Sequence, residues 1–515
     1  IKRVLISILL IFPWVSSANV ETWEINTPAN YSLSDSATTE LFAWVWRLKM
    51  LLEHHWAITN WWATLLNNPE WILVEWNYAY VASATSDAIE IIDISNPASP
   101  VHLSSIQDWA WWAQLNDPRA LVKSWNYLYV AVSASDNLEV IDVSNPASPT
   151  HVTNISDWGT IYLNWAAWID LEWNYLYVTS YQDDALTIFD ISTPSSPNFV
   201  WSLRAAWWRL DWAQWIKVVW NYAYVVVDRN DSFQVIDVSN PVNPVFAWQL
   251  TNWTNWALLD WAYSLDISWN YAYVVSRVSD ALEIIDISTP TNPTHTASIA
   301  DGGTLELNWA RAITIEWDYA YIAAHDDDWV QIIDISTPGL PIQVNQITDW
   351  WTMELDWATT IQKLWDYIYV WSRMDDWIEV LKVFYDNTSP YILPNNGLVY
   401  SWSIDKITTT YWAWNEGTVT YQISKDNWLT WYYLNWSTWT TTTSWVIHSN
   451  TPSEINYEIQ TFNGLAWWTW EFKWKAFLSS NWSQKVELDK VTVDSTSTKI
   501  ALKFSQKKSK KGLTK

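Results

Sequence analysis

Acidic side chains recur at one fixed spacing through most of this chain, and they offer its most regular chemistry. A motif of the form W-[ND]-Y-x-Y-[VI] starts seven times, and an Asp stands eleven residues after each of its tryptophans. Carboxylate oxygens are ligands that Ca²⁺ prefers, but Asp is also an ordinary residue of tight turns. Because these residues recur in every copy and catalysis needs a residue only once, we favour the structural role. They are Asp87, Asp136, Asp184, Asp231, Asp280, Asp328 and Asp376.

A second group of acidic residues lies in the segments that precede the motifs. We expect these loops to open on the same face as the repeated aspartates. Asp157, Asp301 and Asp349 are the candidate metal ligands, and Ca²⁺ is the one cofactor that such oxygen ligands suggest. The chain has no cysteine, which excludes disulfides, thiolate metal sites and a thiol nucleophile.

Irregular positions in the repeat are better candidates for a ligand site, because a structural role recurs in every copy. Charged residues replace small ones at several turns, and two arginines share the position eight residues after the motif tryptophan. We assign no catalytic residue, since the sequence has no Ser-His-Asp order, zinc spacing, phosphate loop or nucleophile elbow. The candidate binding residues are His325, Asp326, Asp327, Asp328, Asp183, Asp184, Arg229, Arg277 and Arg373.

The elements that position these residues follow from the spacing of the motif. Successive motifs are separated by 49, 48, 47, 49, 48 and 48 residues, and each copy contains four short strand patterns without an intervening helix. Such a repeat predicts an all-β, seven-bladed β-propeller. The seventh copy ends after its third strand, and residues 55–62 match a fourth strand. We therefore expect an N-terminal strand to complete the last blade and remove the open edge.

The motif tryptophans stand where a two-residue hairpin loop needs positive φ, a conformation typical of Gly or Asn. The chain has 50 Trp and only 8 Gly, whereas average glycine usage is about 7%. We therefore hypothesise that most tryptophans are glycines encoded by UGA codons in an alternative genetic code. The seven turn positions are Trp76, Trp125, Trp173, Trp220, Trp269, Trp317 and Trp365.

The repeat resembles the LVIVD-repeat proteins when glycine is read at the motif tryptophans. The resemblance rests on the runs Trp-Asn-Tyr-Ala-Tyr-Val-Ala at 76–82 and Ile-Glu-Ile-Ile-Asp-Ile-Ser-Asn-Pro at 89–97, and it covers residues 54–386. It implies a bacterial extracellular or cell-surface β-propeller rather than a particular reaction. The seventh copy departs from the pattern, with Lys382 in place of the Asp of the other six.

The flanking segments have different compositions. Residues 1–18 resemble a signal peptide, 19–53 a linker or divergent segment, and 496–515 a basic, disordered tail. Residues 391–495 predict a smaller β-sandwich. Within it, strand patterns cover 418–423, 455–461, 471–478 and 486–493, and Trp431, Trp439 and Trp474 are the candidate genuine tryptophans.

The charge balance limits the possible partners. A net charge of −27 argues against nucleic acid and against anionic lipid, and no segment after the signal peptide is apolar enough to span a membrane. We expect a secreted or cell-surface, non-catalytic binding module for a protein or glycan. The alternatives are a propeller enzyme acting on polysaccharide, as a hydrolase or lyase, and a Ca²⁺-stabilised structural protein of the surface.

Overall fold

A computed structural model describes most of the repeat region and parts of both flanks. The chain divides into two compact units, Met50–Val383 and the combination of Ile1–Lys49 with Phe384–Lys515. Residues 1–15 of the expected signal peptide, residues 499–515 of the basic tail, Asp349 and Trp431 lie outside the described residues. The described ranges are 16–24, 31–33, 39–42, 45–48, 50–59, 64–97, 99–204, 209–348, 355–373, 376–385, 391–394, 403–411, 418–424, 432–435, 438–441, 449–463, 473–479 and 487–498.

The N-terminal segment that the sequence assigns to a linker contains strands. Its last strand, β5, belongs to the repeat unit. The strands are β1 (Ser16–Glu24), β2 (Tyr31–Leu33), β3 (Thr39–Phe42), β4 (Val45–Leu48) and β5 (Met50–Thr59).

Six blades of the repeat unit are antiparallel sheets of four strands that are consecutive in the chain. The strands of the first three blades are β6 (Pro69–Glu75), β7 (Tyr78–Ser83), β8 (Ala88–Asp93), β9 (Val101–Gln107), β10 (Pro118–Ser124), β11 (Tyr127–Val132), β12 (Asn137–Asp142), β13 (Thr150–Ser156), β14 (Ala166–Glu172), β15 (Tyr175–Ser180), β16 (Ala185–Asp190) and β17 (Asn198–Arg204). Those of the next three are β18 (Ala213–Val219), β19 (Tyr222–Val227), β20 (Ser232–Asp237), β21 (Val245–Thr251), β22 (Ala262–Ser268), β23 (Tyr271–Ser276), β24 (Ala281–Asp286), β25 (Thr294–Ala300), β26 (Ala310–Glu316), β27 (Tyr319–Ala324), β28 (Trp329–Asp334) and β29 (Ile342–Thr348).

The seventh blade closes the ring. It contains β30 (Ala358–Leu364), β31 (Tyr367–Ser372) and β32 (Trp377–Tyr385), and its fourth strand is β5 from the N-terminal side. The first strands of all seven blades contact their neighbours in a closed circle, so they form the inner wall of the propeller. The predicted seven-bladed architecture and the predicted closure by an N-terminal strand are both confirmed.

The core lies between adjacent blades, because the second and third strands of each blade are buried on both faces. One hydrophobic cluster joins Ile91 of the first blade to Leu121 of the second, and another joins Val380 of the seventh to Ile72 of the first. The leucine ten residues before each motif is fully buried, and so is the second motif tyrosine. This burial explains why these apolar positions repeat.

The motif turns have the backbone that their hairpin role requires. The seven motif tryptophans have φ of 53–56°, and their side chains are 61–86% exposed. A second ring of positive φ, 51–65°, occurs eight residues before each motif, at Asn68, Asp117, Trp165, Trp212, Trp261, Trp309 and Trp357. Indoles therefore occupy backbone positions that ordinarily take Gly, Asn or Asp.

The repeated aspartates connect neighbouring blades. In each pair, Oδ1 of the Asp eleven residues after the motif accepts a hydrogen bond from a backbone N–H of the next blade, over 2.8–3.4 Å. The acceptor Asp376 and the donor Asn68 join the seventh blade to the first. These contacts account for the repeated aspartates as structural residues.

A second set of aspartates closes turns within the blades. The Asp at the end of each third strand, seventeen residues after the motif tryptophan, accepts a hydrogen bond from the backbone N–H two residues later, over 2.7–2.9 Å in six blades. These are Asx turns, which satisfy a polar side chain at the edge of an apolar strand.

The described residues of the other unit form two sheets and one helix. One sheet has the order β1-β39-β4-β3 with β34 also on β39, and the other has the order β2-β33-β38-β35-β36-β37. Their packing as a sandwich stays a prediction. The remaining elements are β33 (Tyr391–Pro394), β34 (Ser403–Tyr411), β35 (Thr418–Ser424), β36 (Tyr432–Asn435), β37 (Thr438–Thr441), α1 (Pro452–Asn463), β38 (Lys473–Ser479) and β39 (Glu487–Thr498).

The strand predicted at 455–461 is wrong, because this segment is part of α1. A capping box explains the helix: the Glu454 N–H donates to Thr451 Oγ1 at 3.3 Å, and Glu454 Oε2 accepts from the Thr451 N–H at 2.8 Å. Pro452 at the first helical position adds to the signal. Trp474 in β38 is fully buried and packs edge-on against Tyr421, with ring centroids 6.0 Å apart.

Candidate functional site

Two rings of variable residues converge at one end of the inner strands. The first ring stands six residues before each motif, within a break in the pairing of the first strand with the second. A β-bulge turns a side chain away from the paired strands. The residue type at this position can therefore differ from blade to blade. The seven residues are Glu70, Arg119, Ala167, Gln214, Tyr263, Arg311 and Thr359.

The second ring follows the second strand of each blade, eight residues after the motif tryptophan. Its members are Ala84, Ser133, Tyr181, Asp228, Arg277, His325 and Arg373. Members of both rings line one pocket with a volume of about 280 Å³. Four arginines from four blades meet there: Arg119, Arg277, Arg311 and Arg373.

Glu70 is one of two buried carboxyl groups in the pocket lining, with 4% of its surface exposed. The Arg311 Nη2 group donates a hydrogen bond to its Oε2 over 2.7 Å, and Arg119 Nη1 lies 3.3 Å from its Oε1. Burial raises the pKa of Glu70, but the four arginines outweigh it and hold the pKa below its ordinary value. Glu70 is therefore an ionised anchor for two of the arginines.

Arg277 has a different environment. Its guanidinium carbon lies 4.2 Å above the Tyr263 ring and 4.9 Å from the Trp309 ring. Within the described ranges, no carboxylate is within 4.0 Å of it and its buried Nε–H has no acceptor. Burial lowers the pKa of Arg277, and the charge of Arg311 lowers it further. This arginine has cation–π contacts but no close anionic partner among the described residues.

The pocket lining also has polar and aromatic members. Gln214 Nε2 lies 3.5 Å from Asp228 Oδ2, and burial raises the pKa of Asp228 to about 6. The Tyr181 ring stacks on Trp212 at 4.7 Å and on Trp165 at 5.8 Å. Trp168 also lines the pocket and lies 4.1 Å from Trp215, between ring centroids.

The comparison with family models agrees with the repeat. The family model of the LVIVD repeat matches residues 71–108, 121–157, 166–204, 212–251, 261–301 and 309–349. The chain carries LVIVD repeats. The seventh copy, which the sequence marks as divergent, lies outside these matches. No curated protein matches this sequence.

Several solved structures are similar to the chain. A functionally unknown protein from Desulfotomaculum acetoxidans is 9% identical, with a TM-score of 0.47 over 62% of this chain and 92% of its own. The Cps50 (Swd1) β-propeller domain of Myceliophteria thermophila is 9% identical, with 0.48 over 64% and 99%. Virginiamycin B lyase of Staphylococcus aureus is 10% identical, with 0.47 over 65% and 99%. Such identities concern the fold alone.

The propeller brings only two of the sequence-predicted binding residues, Arg277 and Arg373, into the pocket. His325 belongs to the same ring but hydrogen-bonds Asp326 at 2.6 Å and stacks on Trp357 at 4.9 Å. Burial lowers the pKa of His325 to about 4, so it is neutral at physiological pH.

The other predicted binding residues make local contacts in the loops between LVIVD strands. Asp183 accepts from the Asn164 N–H, and Asp327 accepts from the Asn308 N–H. Asp184 and Asp328 are inter-blade acceptors, and Arg229 lies 3.7 Å from Asp211. The sequence analysis missed Glu70, Arg119, Arg311, Tyr263 and Asp228. Their variability at fixed repeat positions was the signal that could have found them.

The predicted metal ligands are not brought together in the described part of the repeat. Asp301 lies with Glu306 and Asp327, with one oxygen of each within 4.8 Å of the others. Two of these carboxylates already accept backbone hydrogen bonds, from Leu307 and from Asn308. Asp157 is in no such group within the described ranges.

No helix in the described segments is both long and apolar enough to cross a lipid bilayer.

Proposed function

We propose that this protein is a non-catalytic binding module that captures a glycan or protein partner of the cell surface at the pocket formed by the two variable rings. The supporting observation is the contrast between the repeat and these rings. Seven copies keep the same leucines, tyrosines and aspartates, whereas the pocket positions differ from blade to blade. The repeated residues stabilise the fold, whereas the variable residues line a charged, concave pocket, the kind of surface where binding sites are expected.

A screen against glycans and surface proteins tests this proposal. Binding should decrease when pocket residues are replaced in pairs, and it should persist when equally charged residues outside the pocket are replaced. A partner whose affinity is the same for both sets of variants would contradict the pocket as the binding site.

An enzyme acting on polysaccharide is the second candidate. Asp228, with its pKa raised to about 6, and Glu70, with its pKa lowered, have the opposed environments that acid and nucleophile roles need. Glu70 is already held by two arginines, which favours binding over catalysis. Asp228→Asn should abolish turnover and spare affinity if the protein is a hydrolase or lyase. Unchanged affinity without any measurable turnover in the parent supports the binding module.

We also propose that most of the tryptophans are glycines in the natural protein. Every non-glycine residue with positive φ in the described ranges is Asn, Asp or Trp. Asn and Asp adopt this conformation routinely, whereas a bulky residue does so rarely. Seventeen tryptophans stand there, at positions that glycine fills without strain.

A buried tryptophan, Trp371, gives a second argument that tryptophans stand in place of glycines. Trp371 is fully buried, and no described atom accepts a hydrogen bond from its indole N–H. The other six copies have Ala, Thr or Val at this position, so a small residue fits the site. Tryptic peptides of the protein from its native source decide the matter by mass: tryptophan at position 76 or 317 would overturn the proposal.

We propose further that the protein is exported. The supporting features are the positive residues, short apolar run and small residues of the segment 1–18. Fractionation of the native cells should recover the protein outside the cytoplasm, with an N-terminus after residue 18. Recovery in the cytoplasm with the segment intact would contradict export.

A further inference from the structure

The arginines of the pocket exceed its carboxylates, although the chain as a whole is strongly acidic. Arg119 and Arg311 share Glu70, whereas Arg277 and Arg373 have no carboxylate within 4.0 Å in the described ranges. With Glu70 and Asp228 as its two carboxyl groups, the pocket lining therefore has two more guanidinium cations than acids. Because the whole chain carries a net charge of −27, this concentration of positive charge is a property of the site.

The contacts of Arg277 indicate the chemistry of a ligand that the pocket would bind. Its guanidinium is largely buried, rests on the Tyr263 ring and leaves its Nε–H without an acceptor among the described residues. A guanidinium presents its donors as a planar fork that matches a carboxylate with two parallel hydrogen bonds. An entering anion would supply the acceptor and offset the repulsion between Arg277 and Arg311.

The rest of the lining distinguishes a sugar acid from a bare anion. Gln214, Asp228 and Ser133 of the lining supply donors and acceptors, and Tyr181 and Tyr263 supply ring faces. A volume of about 280 Å³ accommodates a ligand of monosaccharide size. Inorganic phosphate would contact the arginines and leave these groups unused.

We infer that the pocket binds the uronic-acid residue of an acidic glycan, with its carboxylate on Arg277 and Arg373 and its hydroxyls on Gln214 and Asp228. This assignment rests on the proposed binding function and names its ligand class. None of its four residues is Trp, although Trp165 and Trp168 line the pocket and the Trp309 ring lies 4.9 Å from the Arg277 guanidinium carbon. Glycine at 168 would widen the same pocket without changing its charge.

Calorimetric titration of the full chain tests the assignment. Two proteins are titrated: one with tryptophan at every position where the sequence has Trp, and one with Gly at the seventeen positive-φ tryptophans. The probes are digalacturonate, glucuronate, glucose and inorganic phosphate. The uronates should bind, and Arg277→Gln and Arg373→Gln should each weaken binding about 10- to 100-fold, as expected for a charge-assisted hydrogen bond. Arg204→Gln is the matched control, since Arg204 is outside the pocket lining and its side chain is 54% exposed.

Each other outcome overturns the assignment. Glucose binding as tightly as glucuronate removes the role of the carboxylate, and binding of phosphate alone makes the site an inorganic anion site. If both arginine variants bind the uronates as tightly as the parent protein and melt at the same temperature, the ligand binds elsewhere. A surface partner found in the screen and lost in Tyr181→Ala but not in the arginine variants keeps the proposed function and rejects the uronate.

Discussion

Single aspartates connect the blades of this propeller to one another. Each combines two properties at one position: a left-handed backbone, φ 45–60°, and a carboxylate that accepts a hydrogen bond from the next blade. Asp tolerates the first and provides the second. The same residue type therefore recurs in all seven copies without any catalytic role.

Substitutions of Asp87 by Ala and by Asn test its two properties, the inter-blade hydrogen bond and the tolerance of a left-handed backbone. Asp87→Ala removes the 3.0 Å hydrogen bond to the Asp117 N–H and places a Cβ-bearing residue with little αL tolerance at φ 50°. We expect a loss of about 2 kcal/mol in the free energy of unfolding. Asp87→Asn keeps the acceptor and the tolerance, so it should change stability by less than about 0.5 kcal/mol. Urea denaturation measures both, and equal losses would contradict the inter-blade role.

Buried glutamates in three blades form another set of residues that the sequence analysis missed. Glu90, Glu139 and Glu283 are fully buried, and each contacts a histidine of the fourth strand: His102, His151 and His295. Burial raises the pKa of Glu139 and of Glu283 to about 7. The fourth and sixth blades have Gln234 and Gln331 at the same repeat position, so a neutral side chain also fits.

These glutamates predict an unusual dependence of stability on pH. A carboxyl whose pKa is higher in the folded protein favours folding while it is protonated, and this contribution is lost as pH rises from about 4.5 to about 7. Glu139→Gln should remove its share, at most about 3.5 kcal/mol at about 1.4 kcal/mol per pKa unit. Thermal melting from pH 5 to 8 should show a smaller decrease for the variant than for the parent. An identical decrease in the two proteins would refute this role of Glu139.

At the scale of elements, the hairpin turn between the first and second strands is the most repeated structure in the chain. Its geometry requires positive φ, and the tryptophan there has 61–86% of its side chain in solvent. The indole contributes strain and little burial. Trp474, inside a strand, differs because its side chain is fully buried.

Glycine substitutions in the tryptophan-containing protein distinguish the exposed turn tryptophans from the buried Trp474. Trp125→Gly relieves a left-handed conformation worth about 1–2 kcal/mol and should raise the free energy of unfolding by about 1 kcal/mol, after the added flexibility of the unfolded chain. Trp474→Gly removes a fully buried side chain and should lower it by at least about 3 kcal/mol. Chemical denaturation gives both values. Destabilisation of similar size by the two substitutions would mean that the turn indoles contribute to packing.

For the molecule as a whole, the closing strand decides whether the ring has an open edge. β5 supplies the fourth strand of the seventh blade, and the cluster between the seventh and first blades includes Val380 and Ile72. Without β5, the edge of β32 would present unpaired backbone groups, a template for association with other chains.

Replacing residues 50–59 with a ten-residue Gly-Ser linker tests this closure. We expect concentration-dependent oligomers or aggregates in light scattering and a lower melting temperature, because the exposed edge pairs between molecules. An equal replacement of residues 499–508, in the basic tail, serves as the control. A monomeric variant with the parent melting temperature would show that β5 is dispensable.

The sequence by itself determined the seven blades, the buried leucines and tyrosines, and the left-handed turns. Each of these depends on a short stretch of chain and recurs seven times, so local chemistry specifies it. One prediction from a local pattern was wrong because two patterns overlap. The apolar pattern at 455–461 suggests a strand, but the capping box of Thr451 and Glu454 begins a helix there.

Only the tertiary structure decided the site. Arg311 and Glu70 are 241 residues apart in the chain and 2.7 Å apart across the pocket, a distance that no local pattern encodes. The same holds for the pairing of β1 with β39 and for the grouping of four arginines from four blades. A closed ring brings equivalent repeat positions to one axis. The residues that vary there become neighbours through closure rather than through their order in the sequence.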